Sequence, residues 1–427
     1  MSLTPATCRA PRIVATPRGE HAGETSRTGG SPHLSPAHTG GDGVALEVVR
    51  QRCAGIDVHK RQVTVHVQVP GQGETREFSA DTGSLLAMVD WLQELKIDDV
   101  AMEATGSYWK PVYNILEATG LRAIVGNASH MKAVPGRKTD TKDAEWICDL
   151  HRHGLIKASF IPPRAQRELR ELVVYRSTLI AARASEANRI AKVLEGGNIK
   201  LGGVVTDILG KSSRKMLAAL AAGVEDPKVL ADMAEGKLRN KHDHLLLALH
   251  GRMTGHQREM LGWQLKHVGF LDEQIRELDV KVAACLHPHE QEIDRLCTIP
   301  GVSQRTAEVI LAEVGVDMRQ FPSAAHLVSW GGLCPSSNES GGKRRPARSR
   351  HGNKLLKSTL VQAGQAAGRS KNTYLGATYR LLAARRGGKR AAMAVGRHIL
   401  QVAYDMLRDG ITDRELGANY HDERRKE

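Results

Sequence analysis

Two aspartates, Asp140 and Asp143, stand three residues apart in the segment GRKTDTKDAEWICDL, where the pattern predicts the start of a helix. Capping is one explanation, because carboxylates accept hydrogen bonds from the free amides of a first helical turn and suit its positive end. A metal site is another, because residues three apart lie on one helix face and could both bind one hard cation. This segment alone fits both interpretations.

Two more acids, Asp57 and Glu103, occupy positions where proteins place ligands. Asp57 lies between Ile56 and Val58 in a predicted strand, where a carboxylate is costly unless it serves a site. Glu103 closes the predicted strand DDVAME, and ligands bind at the carboxyl ends of strands in open α/β sheets. Four such carboxylates in a basic protein suit two divalent metal ions that act on a phosphodiester.

The charge of the chain indicates a polyanionic partner. There are 61 Lys and Arg against 47 Asp and Glu, which gives a formal net charge of +14 and a pI near 9.6. Nucleic acid is therefore the first partner to consider. Residues 340–427 hold 20 of the basic residues and 7 of the acidic ones, so the excess lies mainly in the C-terminal part.

Simple patterns argue against membrane, disulfide-rich and zinc-binding classes. The composition, 41% hydrophobic and 25% charged, is that of a soluble globular protein, and no apolar run reaches the roughly 18 residues of a membrane span. The six cysteines are scattered without a C-x-x-C pair, which suits a reducing compartment. Residues 1–50 are rich in Pro, Gly, Ser and Thr without the apolar core of a signal peptide, and we expect them to be disordered. We expect a cytoplasmic protein.

An α/β domain is predicted over residues 51–162. The segment CAGIDVH and the alternating Val63, Val65, Val67 and Val69 predict two strands joined as a hairpin. A helix around 83–95, the strand DDVAME, a helix after GSYWKP and the strand LRAIVG follow. Strands first in a meander and then alternating with helices indicate a mixed sheet.

The rest of the chain is predicted to be helical. After the break IPPR, a long helix carries the apolar stripe Leu169, Leu172, Val173, Leu179, Ile180, Ile190 and Val193. Residues 240–285 have a broken heptad-like pattern that predicts a helical hairpin or coiled coil, and a plain bundle core or a dimerisation arm would both fit it. Residues 296–315, LCTIPGVSQRTAEVILAEVG, resemble a helix-hairpin-helix element whose amides could contact phosphates, although an ordinary helical corner gives the same pattern.

Three motifs in this order, GIDVHK, MEATGSYW and KTDTKDAEW, resemble the signature of the DEDD transposases of bacterial insertion sequences. The segment LVSWGGLCPSSNESGGKRRPARSRHGNKLLKSTLVQA is similar to the second conserved block of that family, so the resemblance covers roughly residues 52–410. It implies an α/β RNase H-like (RuvC-like) N-terminal domain with a mixed sheet. A long helical or coiled-coil middle and a mainly α C-terminal domain would follow.

The resemblance also implies roles for individual residues. It assigns metal-binding acids to Asp57, Glu103, Asp140 and Asp143, with Mg²⁺ or Mn²⁺ as the cofactor. A serine of the C-terminal block, matched here by Ser340 in NESGGK, acts as nucleophile in a composite site with the acidic domain. Ser336 and Ser337 lie in the same loop, and a plain solvated Ser-Gly loop is the alternative.

Basic residues near Ser340 are expected to pair with phosphate oxygens. They are Lys343, Arg344, Arg345, Arg348 and Arg350. The aromatic residues Tyr108 and Trp109 could stack on bases or fill the core, and we expect them in the core.

The sequence therefore predicts an insertion-sequence transposase that cuts and rejoins DNA through a serine–DNA phosphodiester formed with metal help. Donor and target DNA are the expected partners, guided by an element-encoded bridge RNA, and a homodimer that forms a homotetramer at the nucleoid is the expected assembly. A Holliday-junction resolvase-like nuclease, in which the acids activate water, is one rival. A non-catalytic nucleic-acid-binding protein is another, disfavoured because all four acids are present. The predicted boundaries are 51–162 for the catalytic domain, 163–290 for a helical linker and dimerisation region, 291–412 for the transposase domain and 413–427 for a charged tail.

Overall fold

The structure, a computed structural model, describes residues 47–104, 106–127, 131, 143–336, 339–345 and 349–420. Most of the predicted disordered extension and the end of the predicted charged tail lie outside these residues, as do Asp140, Ser337 and Arg348. The chain divides into an N-terminal unit that ends at Ala158 and a C-terminal unit that begins at Ser159.

The N-terminal unit contains a five-stranded mixed sheet, which confirms the predicted sheet. Its strands are Cys53–Val58 (β1), Gln62–Val69 (β2), Gln72–Ser79 (β3), Asp99–Glu103 (β4) and Arg122–Gly126 (β5). They lie in the order β3-β2-β1-β4-β5. Strands β1 to β3 form an antiparallel meander, whereas β4 lies parallel to β1 and β5 parallel to β4. Val63, Val65 and Val67 of β2 are all buried because alternate strand residues share a face.

Strand β3 was not predicted from the sequence. It pairs with β2 along its whole length, from Gln72 opposite Val69 to Ser79 opposite Gln62. Its sequence QGETREFS has no apolar alternation, because β3 is an edge strand that is largely exposed on both faces. Charged side chains on such an edge deter pairing with another chain.

Three helices of the N-terminal unit contact strands of the sheet: Thr82–Glu94 (α1), Trp109–Ala118 (α2) and Asp143–Arg152 (α3). Helix α1 begins after Asp81, whose Oδ1 accepts a hydrogen bond of 3.0 Å from the backbone amide of Ser84. We had expected helix α2 to begin after Pro111, but it begins at Trp109. Proline is tolerated in a first helical turn because its missing N–H would have no partner there.

Helix α3 lies directly on β1 at Gly55. A Cβ atom at this position would be 2.2 Å from the backbone nitrogen of Cys148 and 2.3 Å from the backbone oxygen of Ala144. Only glycine permits so close an approach between strand and helix. Cys53 Sγ lies 3.7 Å from Cys148 Sγ. Cys53 precedes Gly55 in β1, and it contacts the C-terminal of the two helix residues that Gly55 meets. Helix α3 therefore runs antiparallel to β1.

The C-terminal unit is mainly helical in its described parts, as predicted. Its helices in chain order are Arg164–Gly196 (α4), Leu201–Val204 (α5), Lys211–Ala221 (α6), Pro227–Asp232 (α7), His242–Leu249 (α8), Gly255–Leu286 (α9), Glu290–Cys297 (α10), Gln304–Val314 (α11), Ala324–Trp330 (α12), Lys354–Arg369 (α13), Tyr374–Arg386 (α14) and Gly388–Asp409 (α15). Short 3₁₀ turns lie at Gly236–Lys241, His287–His289 and Met318–Gln320. None of the helices in the described residues is both long and apolar enough to cross a membrane.

The two long helices α4 and α9 lie side by side and antiparallel. Arg183 Nε is 2.6 Å from Asp272 Oδ1, and Arg176 Nη1 is 2.9 Å from Asp279 Oδ1. An apolar cluster between the helices contains Leu179, Leu271, Ile275 and Leu278. The predicted long helix is confirmed, and its partner is the segment that we predicted to form a helical hairpin or coiled coil. Helices α5 to α8 connect the pair and share an apolar core with the adjoining ends of α4 and α9.

The segment that resembles a helix-hairpin-helix element forms a buried corner. A Cβ atom at Gly301, in the turn between α10 and α11, would be 2.4 Å from the backbone oxygen of Ala363 in α13. Helix α11 is buried from Thr306 to Val314. Its Glu308 lies 2.7 Å from Arg176 Nη1, so α4 holds it in the core. This packing favours the ordinary corner over a turn that contacts phosphates.

Candidate active site

Asp57 and Glu103 are neighbours on adjacent parallel strands. In β1 and β4, Ile56 is level with Met102, so the next residues along, Asp57 and Glu103, are level as well. Level residues on neighbouring parallel strands point to the same face, on backbones about 5 Å apart. Both acids are half-buried at the carboxyl ends of their strands. The structure therefore brings these two predicted acids together.

Helix α3 brings Asp143 to the same edge of the sheet. Asp57 points to the face that carries Gly55, because alternate strand residues share a face, and α3 covers that face. Gly55 meets α3 between Ala144 and Cys148. Two further residues of β1 advance about 6.6 Å, the length of roughly four helical residues. Asp57 is therefore level with the start of α3, which is Asp143.

The start of α3 accommodates both explanations of its acids. Asp143 is the first residue of the helix, and its carboxylate in the first turn is favoured by the helix dipole. It is half-buried, at the end of α3 that lies toward the Asp57 end of β1. Asp140 precedes the helix by three residues and lies outside the described residues.

The donors at this edge suit a divalent cation that prefers oxygen. Mg²⁺ and Mn²⁺ bind carboxylate oxygens, and Asp57, Glu103 and Asp143 would supply them from two strands and one helix. Within the described part of the chain, which leaves out Asp140, no three His, Cys, Asp or Glu side chains are gathered closely enough to hold a metal ion. The residues fit the kind of ion that the sequence predicts, and the complete set would include Asp140.

His59 is a residue of this site that the sequence analysis missed. Its Nε2 lies 2.9 Å from Asp57 Oδ2, and its imidazole is 66% exposed, whereas the carboxylate is only 16% exposed. The ring therefore approaches from the solvent side and orients the carboxylate. The signal was the D-x-H spacing, since residues two apart at the end of a strand lie on one side.

Ser340 lies in a short exposed hairpin of the C-terminal unit. Strands Glu339–Ser340 (β6) and Lys343–Arg344 (β7) pair antiparallel, with Ser340 opposite Lys343. Gly341 and Gly342 form the tip with φ of 58° and 71°, which a two-residue turn of this hand requires. A Cβ at either glycine would meet nothing within 4 Å, so the tip next to Ser340 is open to a large substrate.

The other predicted residues of this loop are only partly described. Ser336 is half-buried, and Lys343, Arg345 and Arg350 are exposed. Arg344 belongs to β7. Ser337 and Arg348 lie outside the described residues. The described cations are thus positioned within a few residues of Ser340 along the chain, at the surface of the C-terminal unit.

The two aromatic residues after Glu103 have different environments. Tyr108 is 43% exposed, so the expectation that it lies in the core is wrong. Trp109 is half-buried and packs edge-on against Tyr113, with ring centroids 5.7 Å apart. The exposed ring follows β4, at whose end Glu103 lies.

Helix α3 also carries a buried histidine. His151 is 1% exposed, and neither ring nitrogen has a hydrogen-bond partner in the described part of the chain. Burial, with a smaller contribution from the positive charge of Arg50, lowers the pKa of His151 from 6.5 to about 4. Protonation of this side chain therefore opposes folding.

We expect acid to destabilise the N-terminal unit through His151. The unfolded chain takes up this proton near pH 6.5 and the folded chain only near pH 4, so stability present above pH 6.5 is lost as the pH falls through that window. A difference of this size corresponds to about 3 kcal/mol in the free energy of unfolding. Urea denaturation at several pH values, read by hydrogen exchange in α3, should show a shallower loss for His151→Leu than for the wild type.

The control is His256→Gln, which removes an exposed histidine of the C-terminal unit and should follow the wild type. A His151→Leu protein whose stability falls with pH as steeply as that of the wild type would contradict this role of the buried ring.

Comparison with known protein families gives two matches along the chain. Residues 54–199 match a family of transposases, the DEDD transposases of the IS110 type. Residues 293–380 match the transposase IS116/IS110/IS902 family. The first match contains the acids Asp57, Glu103, Asp140 and Asp143, and the second contains Ser340. Together the matches cover more than half of the chain.

Two relatives extend this similarity. An uncharacterized 43.6 kDa protein of insertion element IS110 from Streptomyces coelicolor is 36% identical over 145 residues, which are 32% of this chain and 34% of the relative. A probable family 20 transposase from Pseudomonas aeruginosa is 24% identical over 280 residues, which are 65% of this chain and 73% of the relative. The chain thus spans about a third of the first relative and about three quarters of the second.

Proposed function

The chain belongs to the IS110 family of transposases, and from this we propose that it moves an insertion element by cutting, exchanging and rejoining DNA strands. The observation that carries the proposal is the placement of Asp57 and Glu103 side by side at the carboxyl end of a mixed sheet, with Asp143 starting the helix that covers them. Acids in that arrangement suit phosphodiester chemistry.

In this proposal Asp57, Glu103, Asp140 and Asp143 hold Mg²⁺ or Mn²⁺. The bound metal would stabilise charge on the scissile phosphate and activate the attacking hydroxyl. His59 keeps the Asp57 carboxylate oriented through their contact of 2.9 Å. Gly55 keeps the start of α3 close to β1, so that Asp143 stays within reach of the same phosphate.

The Ser340 hydroxyl is the proposed nucleophile. Its Oγ attacks phosphorus and forms a serine–phosphate bond, the bond from phosphorus to one DNA oxygen breaks, and the serine proton passes to a base. A hydroxyl of the incoming strand then attacks the same phosphorus and releases the serine oxygen. The number of phosphodiester bonds is conserved, so rejoining needs no external energy source. The open Gly341–Gly342 tip supports this role because it leaves room for a strand beside Ser340.

Donor and target DNA are the proposed substrates, and an element-encoded bridge RNA is the proposed guide. Their phosphates would pair with the cations around Ser340, which are Lys343, Arg344, Arg345, Arg348 and Arg350. We propose a homodimer that assembles into a homotetramer on DNA, associated with the nucleoid in the cytoplasm.

The test combines the full chain with a plasmid that carries the element and its flanking DNA, and with RNA transcribed from that flank. Metal-dependent cutting, joined products and a protein–DNA adduct that resists denaturation are the expected results, with EDTA as the control. Cut strands that carry free ends without any adduct would overturn the serine chemistry in favour of a resolvase-like nuclease. Binding without cutting under every condition would favour a non-catalytic protein.

A further inference from the structure

The corner between α14 and α15 carries four exposed cations in six residues. Residues 384–390, ARRGGKR, are all exposed, and we call them the basic corner. Its cations are Arg385, Arg386, Lys389 and Arg390. The corner lies outside the loop of Ser340, in a part of the chain to which the sequence analysis assigned no residue role.

These cations differ from the paired arginines and lysines of the same unit. Several exposed side chains elsewhere in the unit pair with carboxylates, as Arg276 does with Glu273 at 2.5 Å and Lys211 with Glu235 at 2.8 Å. In the described part of the chain, no ion pair or hydrogen bond is formed by the side chains of the basic corner. From Ser340 to Tyr404 the sequence contains no Asp or Glu at all, so no acid lies nearby along α13, α14 or most of α15.

The backbone of the corner adds to this positive charge. Helix α15 has 22 residues, and its N-cap is Gly387, which offers no side chain to its first amides. The amides at such an end lack intrahelical partners, and the helix dipole makes the end positive. A Cβ at Gly387 would meet nothing within 4 Å, so a phosphate can approach the backbone directly.

The corner is also held in place. A Cβ at Gly388 would lie 3.1 Å from the Tyr379 hydroxyl, and one at Gly368 would lie 2.5 Å from the Tyr379 ring. Tyr379 of α14 therefore packs between α13 and the start of α15. Four like charges on a fixed corner repel one another, and a polyanion would relieve that repulsion.

We propose that the basic corner binds the phosphate backbone of duplex DNA, an inference that rests on the proposed function. The corner offers cations and backbone amides, which contact phosphates without reading sequence. Residues 384–390 contain no aromatic side chain, and binding of single strands relies on aromatic stacking. The contact would add affinity to the DNA complex without adding sequence specificity.

The test replaces all four cations, as Arg385→Gln, Arg386→Gln, Lys389→Gln and Arg390→Gln together, and measures affinity for a random-sequence DNA duplex against salt. Each lost phosphate contact lowers the magnitude of the slope of log affinity against log salt by about 0.9, so we expect the slope to become shallower by about 3.6 for the four cations. Between 50 and 200 mM salt, the loss of affinity should then be roughly 150-fold smaller than in the wild type.

A matched control removes four paired cations from the same unit, Lys200, Lys211, Lys215 and Arg276, each to Gln. Both variants lose the same net charge, so an equal fall in slope in the two would overturn the proposal, as would an unchanged slope in the corner variant. A second variant, Arg385→Lys, Arg386→Lys and Arg390→Lys, keeps the charge and should keep the slope even if the glutamine variant folds poorly.

A duplex RNA of the same length separates the two nucleic acids. Loss of RNA affinity with unchanged DNA affinity would overturn the proposal for DNA. Binding is measured without strand cleavage, so a protein that binds through the corner but never cuts would fail the proposed function and still support this inference.

Discussion

Replacing Ser340 by alanine should remove both the covalent protein–DNA product and strand exchange. Only a hydroxyl is lost from an exposed hairpin, so the fold, metal binding and DNA affinity should stay as in the wild type. Loss of a nucleophile typically lowers the rate by about 10³-fold or more. A nicked suicide duplex traps the adduct, and a denaturing gel followed by peptide mapping locates the linked residue.

Ser336→Ala and Ser337→Ala are the controls, since they lie in the same loop and carry no charge. An adduct that persists in Ser340→Ala but disappears in one of the controls would move the nucleophile within the loop and preserve the chemistry. A wild-type protein that cuts strands without forming an adduct would instead favour the resolvase-like nuclease, in which the acids activate water.

Each of the four acids should be essential for strand cleavage. We expect Asp57→Asn, Glu103→Gln, Asp140→Asn and Asp143→Asn each to lower the cleavage rate by about 10³-fold. Each change weakens binding of a metal ion that would stabilise charge in the transition state by several kcal/mol. The neutral replacements keep the size of the side chain. The loss of repulsion between neighbouring carboxylates offsets the loss of favourable contacts, such as that of Asp143 with the helix dipole, so the melting temperature should stay close to that of the wild type.

The matched control is Asp90→Asn, an exposed acid of α1 in the same unit, which should cut at the wild-type rate. Cleavage in Mg²⁺ and a thermal melt are measured side by side for all five variants. Full activity in any two of the four site variants would show that the acids do not act as one metal site.

Much of the N-terminal unit could be predicted because its sequence patterns are local. The alternating valines of β2 follow from the two-residue period of a strand. The acids were located by the ends of the predicted strands, and the structure places Asp57 and Glu103 level with each other. Strand β3 could not be predicted in this way, because an edge strand exposed on both faces needs no apolar residues. Its position is set by backbone pairing with β2, which leaves no signal in side-chain type.

Contacts between distant segments account for the other differences. The pairing of His59 with Asp57 depends on the conformation of the turn after β1. The burial of the turn at Gly301 depends on α13, more than fifty residues further along. Tyr108 lies in the turn directly before α2, as its N-cap, and is exposed there. The lack of acids around the basic corner, by contrast, was visible in the sequence and became informative once α14 and α15 were known to meet there.

Gly55 shows how a genetic screen of this protein could mislead. In saturation mutagenesis scored by loss of transposition, every substitution at Gly55 would push a side chain into the α3 backbone at 2.2 to 2.3 Å. The position would therefore score as intolerant as Asp57, two residues away, although it has no side chain that could take part in a reaction. A protein-abundance readout collected from the same library would separate the two, since a misplaced helix reduces the amount of folded protein whereas a missing ligand does not.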